Sequence, residues 1–498
     1  MTLRGGSGMS RYSSMTITLL LAAGFLGAQT QQPSPQSRAM PQLTQEFITV
    51  DAPVVVLQHV RVVDGTGAEA LEDQTITIEN GRIRSIGSAA SNSAPAGARI
   101  LDLTGRTVIP GLVGMHEHLF YPGPTGRGRL SELGVPEMYP EMAFSFPRLY
   151  LASGVTTIRT TGSMEPYSDL ELKNYIDSGR IPGPKMHLTG PYLQGPGLFL
   201  PQLHVLIGPE DATRMVNYWA DEGFTSFKAY QQITKAELGA AIKAAHARGL
   251  KVTGHLCSVT LREAAELGID DLEHGLNTDT EFVQGKQEDL CPGSAQSSLM
   301  ALDVQGEQIQ STIKFLIQHH VAITSTLPVF EASLPNRPLL QQRFLDVLSP
   351  PSKADYLLAR SRVDANGDKT GTMFKKEEAF EYAFSKAGGT LLAGLDPTGN
   401  GAVVAGFGDQ REVELLVEAG FTPLEAIHIA TENGAKFLGV EDKVGTLKVG
   451  KQADLIVIKG DPSKTIADIE NVETVFKDGK GYNSQKLIDS VRGLVGYR

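Results

Sequence analysis

Six side chains able to bind a metal ion or move a proton stand at the ends of short apolar segments. His116 and His118 close VGMHEHLF, Lys228 lies in TSFKAY, His255 in KVTGHL, His274 in DLEHG and Asp396 in TLLAGLD. Imidazole and carboxylate are good ligands for Zn2+ and similar divalent cations. A spacing of two on a strand puts the imidazoles of His116 and His118 on one face. An ammonium among such ligands would repel the cations and be costly to desolvate, which favours the neutral amine of Lys228. That amine can take up carbon dioxide as a carbamate, an anionic two-oxygen ligand able to bridge two metals. The plain alternative is an ammonium paired with an acid. Two bridged cations would hold a hydroxide and polarise a carbonyl, the two-metal route to hydrolysis at neutral pH. Asp396 would ligate one cation, take the proton of the attacking water and deliver it to the leaving nitrogen.

These residues need a frame that brings distant segments together. Eight strand candidates run from VGMHEHLF through VTTIRT, KMHLTG, TSFKAY, KVTGHL, DLEHG and VAITSTL to TLLAGLD. Helical stretches with 3.6-residue periodicity lie between most of them, among them PEDATRMVNYWADEG, KAELGAAIKAAHARG and TLREAAELG. Eight strand-then-helix units predict a (β/α)8 barrel over residues 111–439, with reactive groups at the C-terminal ends of its strands. Residues 41–110 and 440–498 alternate apolar and polar residues with Gly and Asn-Gly turns, as in VVVLQHVRVVDGTG and QADLIVIKGD. They predict one small β-sandwich built from both chain ends. Tyr121–Tyr139 and Ser333–Thr370 are expected as long loops over the barrel mouth, either lids or surface insertions.

Residues 1–40 read as a secretory signal and linker. Arg4 and Arg11 precede the apolar run Ile17 to Ala28, and a Gln/Ser/Pro stretch follows. The run is shorter than the ~20 apolar residues a membrane span needs. The expected location is therefore secreted or periplasmic, with no stable membrane association once the signal is removed. Export would allow Cys257 and Cys291 to pair; two free thiols remain the other reading. With only two cysteines, a disulfide-dense scaffold and a four-cysteine zinc site are excluded.

The ensemble PGLVGMHEH, the Lys in SFKAY, GHL, LEHG, LAGLDPTG and the tail VGTLKVGKQADLIVI resembles the amidohydrolase superfamily of metal-dependent hydrolases, from about residue 50 to 480. The chain is most similar to its lysine-bridged branch of prolidase-like and imidazolonepropionase-like enzymes. The resemblance implies that His116, His118 and Asp396 bind one metal, that carboxylated Lys228 bridges, and that His255 and His274 bind the second. It also implies that Tyr230, two residues past the lysine, hydrogen-bonds the substrate carbonyl. Zinc is the expected ion, while manganese, cobalt and iron also suit these ligands. Prolidase-like relatives often carry a histidine in the stretch after the aspartate. Here PTGNGAVVAGFGDQREVELL has none, which puts a strict dipeptidase in doubt.

His204, in the loop after the third barrel strand, is a candidate substrate contact. Arg159 and Arg180 are read as scaffold. The expected reaction is hydrolysis of an amide or peptide-like C–N bond, in an N-acyl amino acid, a dipeptide or a cyclic amide. Lactones, esters or phosphotriesters would suit the same centre, and a non-catalytic binding protein of the same fold is a reading of another class. A deaminase would want a glutamate near the fifth-strand histidine, and LCSVTLREA after His255 has none at that spacing. The net charge of −11 and the lack of a basic cluster or phosphate loop argue against a nucleic-acid partner. A small-molecule substrate is the expected partner, and homo-oligomerisation is left open.

Overall fold

The computed structural model describes residues 44–90, 94–121, 138–197, 200–293, 295–398 and 401–497. The expected signal segment lies outside the described residues, as do residues 122–137 of the first expected loop. Among the described residues no helix is long and apolar enough to cross a membrane.

Strands from the two chain ends form one nine-stranded sheet. They are β1 (Ile48–Val50), β2 (Val54–Val62), β3 (Leu71–Glu79), β4 (Arg82–Ser88), β5 (Arg99–Asp102) and β6 (Arg106–Pro110) before the central region. The central region holds β7 to β14. After it come β15 (Leu455–Lys459), β16 (Val472–Lys477) and β17 (Lys480–Asn483). The order is β1-β17-β16-β15-β6-β2-β3-β4, with β5 beside β2. The two ends meet where β6 pairs antiparallel with β15, Ile109 opposite Ile456, and where β1 pairs with β17. Val55, Leu57, Ile76, Val108, Leu455 and Phe476 bury one face in a core of their own. Ile109, Ile456 and Ile458, on the opposite face of β6 and β15, join the larger core, so these two strands are buried on both faces and read as continuous apolar runs.

The central strands are parallel. Three form one sheet: β7 (Leu112–Glu117), β8 (Val155–Thr160) and β9 (Lys185–His187). Five form another: β10 (Ser226–Ala229), β11 (Lys251–Gly254), β12 (Asp271–Glu273), β13 (Ala322–Ser325) and β14 (Leu391–Ala393). Parallel bridges join Thr189 to Ser226 and Leu193 to Ala229, linking the β9 side to β10. At the other margin the Asp396 N–H donates to the His116 carbonyl at 3.0 Å. A Cβ at Gly394 would lie 2.4 Å from His116 Cβ, so this approach of the β14 end to β7 requires glycine.

Helices separate the strands, among them Pro166–Asp177, Pro209–Glu222, Lys235–His246, Leu261–Leu267, Glu307–Gln318, Gly371–Lys386 and Phe407–Glu418. Capping boxes Thr234/Glu237 and Thr260/Glu263 start two of them immediately downstream of strand ends. The expected loop at Ser333–Thr370 is instead largely helical, over Gln342–Val347 and Pro350–Asn366. The longer helix begins on Ser349, whose hydroxyl accepts from Ser352 N–H. It buries only Ser352 and Tyr356, so it carries no apolar stripe for a sequence reading to detect.

Candidate metal centre

Cys257 and Cys291 are disulfide-bonded with Cα atoms 4.9 Å apart, which resolves the two readings of these cysteines. The bond ties the segment after β11 to the loop before helix Gln296–Met300. Both cysteines line a cavity of about 600 Å³ at the C-terminal ends of the parallel strands. Five of the six ligand-type residues anticipated from sequence also line it: His118, Lys228, His255, His274 and Asp396. His116 sits beneath it, fully buried.

The six side chains converge. Nitrogen and oxygen atoms of His116, His118 and Asp396 lie within 4.8 Å of one another. Asp396 Oδ1 is 3.6 Å from His118 Nε2, and Oδ2 is 3.9 Å from both His116 Nε2 and His274 Nε2. The His274 ring centroid is 4.7 Å from His116 and 4.5 Å from His255. Lys228 Nζ is 3.2 Å from His116 Nε2 and 5.3 Å and 5.7 Å from the ring centroids of Tyr192 and Tyr230. No carboxylate among the described residues forms an ion pair with Lys228.

The outer nitrogens of three imidazoles are already engaged. His116 Nδ1 donates to Glu273 Oε2 at 2.6 Å and His118 Nδ1 to the Gly162 carbonyl at 3.3 Å, while His274 Nδ1 is hydrogen-bonded with the Thr326 hydroxyl at 2.7 Å. For His116 and His118 the carboxylate and the carbonyl can only accept, which places the proton on Nδ1. Their Nε2 atoms are then acceptors, 3.9 and 3.6 Å from Asp396, with Lys228 Nζ 3.2 Å from that of His116. His274 Nε2 is buried with no hydrogen-bond partner among the described residues, and buried polar nitrogens are rarely left so. An imidazole held through Nδ1 by an oxygen acceptor, with Nε2 bare and facing a carboxylate, is the arrangement of a metal ligand. The donor set therefore fits divalent cations. His255 Nε2 is met by the Gln231 side-chain amide at 3.0 Å.

Electrostatics agree with ligands rather than cations. Burial, then the charge of Lys228, pushes His116 and His118 well below the ordinary imidazole range. The same two causes push His255 down to about 3. His274 is lowered by burial and by the neighbouring imidazoles of His255 and His116. Burial lowers Lys228 to about 8, with Glu273 acting against it. Burial raises Asp396 to about 6, with Lys228 acting against it.

The sequence matches the amidohydrolase family over residues 107–346 and 378–481. The chain belongs to the amidohydrolase family. Shorter matches reach curated relatives: a dihydroorotase of Pelobacter propionicus, 33% identical over 116 residues (23% of each chain), and a 5'-deoxyadenosine deaminase of Methanobrevibacter smithii, 34% identical over 79 residues (16% of this chain, 18% of the relative). The matched segments thus span less than a quarter of those relatives' length. Similar solved structures cover far more. A Bifidobacterium longum protein provisionally assigned as a prolidase is 26% identical with a TM-score of 0.60, over 88% of this chain and 98% of the other. A Xaa-Pro dipeptidase with bound methionine in its active site is 22% identical with a TM-score of 0.63, over 86% and 100%. Molinate hydrolase is 18% identical with a TM-score of 0.65, over 90% and 98%.

Other anticipated residues fall in two groups. Tyr230 lines the cavity, its ring centroid 5.0 Å from that of His255. His204 does not join this amidohydrolase centre: it is exposed, pairs through Nε2 with Asp211 Oδ2 at 2.7 Å, and is not among the cavity-lining residues. Its loop turns it towards the helix Pro209–Glu222, whose first turn carries Asp211.

Sequence reasoning missed the polar layer beneath the centre. Glu273 and Asp271 share one face of β12, and both accept from Arg159 of β8, at 2.9 and 2.7 Å. Thr253 donates to Glu273 as well. Two acids at i and i+2 in a buried strand require a cation, and the one arginine in VTTIRT was the available signal. Tyr192 was also missed. Its hydroxyl is 3.5 Å from His118 Nε2, and nothing in GPYLQG distinguishes it from a packed aromatic.

Proposed function

We propose that this amidohydrolase is an exported, metal-dependent hydrolase of amide or peptide-like C–N bonds. The observation that carries the reading is the inward-facing set of Nε2 atoms around Asp396, with the His274 nitrogen left bare in a buried site. In this reading His116, His118 and Asp396 would hold one divalent cation, His255 and His274 would hold a second, and Lys228, as its carbamate, would be a ligand shared between them. Zn2+ suits the ligands. The burial of the amine, and the fact that no carboxylate among the described residues pairs with it, support carbamate formation at Lys228. For His255 to serve, the Gln231 amide must swing away from Nε2.

The two parallel sheets, bridged at one margin and hydrogen-bonded at the other, are proposed as arcs of a single (β/α)8 barrel over residues 111–439. The sheet from 41–110 and 440–498, with its separate core, is proposed as the accompanying β-sandwich. The Cys257–Cys291 bond supports an oxidising destination beyond the signal at 1–40.

Bound cations would supply polarisation of the scissile carbonyl and acidification of a water. This chain's residues do the rest. Asp396 accepts the proton of the attacking water at its carboxylate and returns it to the leaving nitrogen. Tyr230 faces the substrate carbonyl from the cavity wall. Glu273 fixes the ring of His116.

Chelation of the purified full chain followed by hydrolysis assays tests this reading. Activity on amides should vanish with the metal and return on adding Zn2+ or Mn2+. In Asp396→Asn the rate should fall by orders of magnitude while substrate still binds. Chelator-resistant amide hydrolysis would overturn it.

A further inference from the structure

The walls of the cavity narrow the substrate class, on the footing of the hydrolytic reading above. Among the described lining residues the only charged side chains are Lys228 and Asp396, and both belong to the proposed metal centre. Arginine is absent from the described wall: the buried Arg159 lies below the centre, committed to Asp271 and Glu273. What remains is aromatic and aliphatic on two sides. Phe120, Met164, Tyr192 and Leu200 form one packed cluster with Tyr139 and Tyr230 against it. Leu299, Val329, Phe330 and Met373 also line the cavity. Neutral hydrogen-bonding groups complete the wall at Gln231, Asn277, Thr280 and Gln296.

A dipeptide or N-acyl amino acid carries a free carboxylate next to the bond to be cut. Among the described lining residues such a carboxylate would meet no cationic side chain outside the proposed centre, and a carboxylate enclosed without a partner is expensive. Aromatic walls with a few neutral polar groups suit a ligand that is itself apolar and uncharged. We infer that the site selects neutral amides with bulky apolar or aromatic substituents, and discriminates against substrates bearing a free carboxylate beside the scissile bond. The lack of a histidine in PTGNGAVVAGFGDQREVELL agrees with departure from dipeptide chemistry.

The test uses matched pairs on the metal-reconstituted full chain. For hydrolysis the pair is N-benzoylphenylalaninamide and N-benzoylphenylalanine, which share the benzamide bond and differ in one charge. For binding it is the corresponding N-benzenesulfonyl compounds, which resist hydrolysis, followed by titration calorimetry. The neutral member is expected to show a kcat/KM at least tenfold higher and a Kd at least tenfold lower. Gln296→Arg, at an exposed position on the cavity rim, should reduce both ratios severalfold by offering a carboxylate a partner. Equal or tighter binding of the carboxylates by the unaltered chain would overturn the inference. Selective binding of the neutral sulfonamide with no turnover of either amide would leave this inference standing and count against the hydrolytic reading instead.

Discussion

Glu273 Oε2 lies 2.6 Å from Nδ1 of His116, both side chains fully buried. The carboxylate orients the ring and sharpens the basicity of the opposite nitrogen, the one that faces Asp396. Glu273 is in turn held by Arg159 and Thr253. Glu273→Gln keeps the shape and removes the charge. Metal affinity should fall about 10- to 100-fold, read by competition with a chromogenic chelator, and activity at saturating metal should recover in part. Unchanged affinity would show that His116 needs no such support.

The disulfide makes a second expectation. Cys257 stands two residues beyond His255, and its bond to Cys291 closes a loop with a sequence separation of 34. Removing it should cost roughly 4 kcal/mol through the unfolded chain's entropy. Thermal unfolding of the Cys257→Ala/Cys291→Ala protein should occur at lower temperature. Because the tether shapes the cavity wall and supplies no ligand, KM should rise while metal content stays constant. Loss of metal in that variant would contradict the assignment of the wall.

Buried acids outside the centre set the response of stability to pH. Glu412 is raised to about 8, chiefly by burial, and Glu381 is raised by burial and by the charges of Glu377 and Glu412. A carboxyl whose folded-state pKa is raised binds more protons folded than unfolded. Its contribution is fully present below the unfolded value near 4.5 and declines as pH climbs from there to about 8. Glu412→Gln removes that titration. The variant should gain melting temperature relative to the unaltered protein at pH 8 and not at pH 5, at fixed metal concentration. A pH-independent difference between the two would rule out this linkage.

Much of this arrangement is legible before folding, for a physical reason. Segments such as VGMHEHLF and TLLAGLD are apolar enough to be buried parallel strands, so a His or Asp at their ends stands out against its surroundings. The eight strand segments expected from sequence correspond to β7–β14. Glu273 was hidden because LEHG draws attention to His274, and the left-handed backbone there (φ 70°) breaks the alternation that would place its neighbour. His204 could not be placed because a loop has no periodicity to fix a direction. The helix Pro350–Asn366 escaped because its one buried apolar residue, Tyr356, makes no stripe. What depends on local apolar contrast can be read from the chain; what depends on contacts between remote strands cannot.

The account rests on a pair of cations joined through Lys228. Elemental analysis of the reconstituted chain beside Lys228→Ala, each with and without a short carboxylic acid such as acetate, tests it most directly. The account predicts two divalent ions per unaltered chain, about one or fewer in the variant, and partial recovery of both metal and activity with the acid. Equal metal content in the two proteins would contradict it.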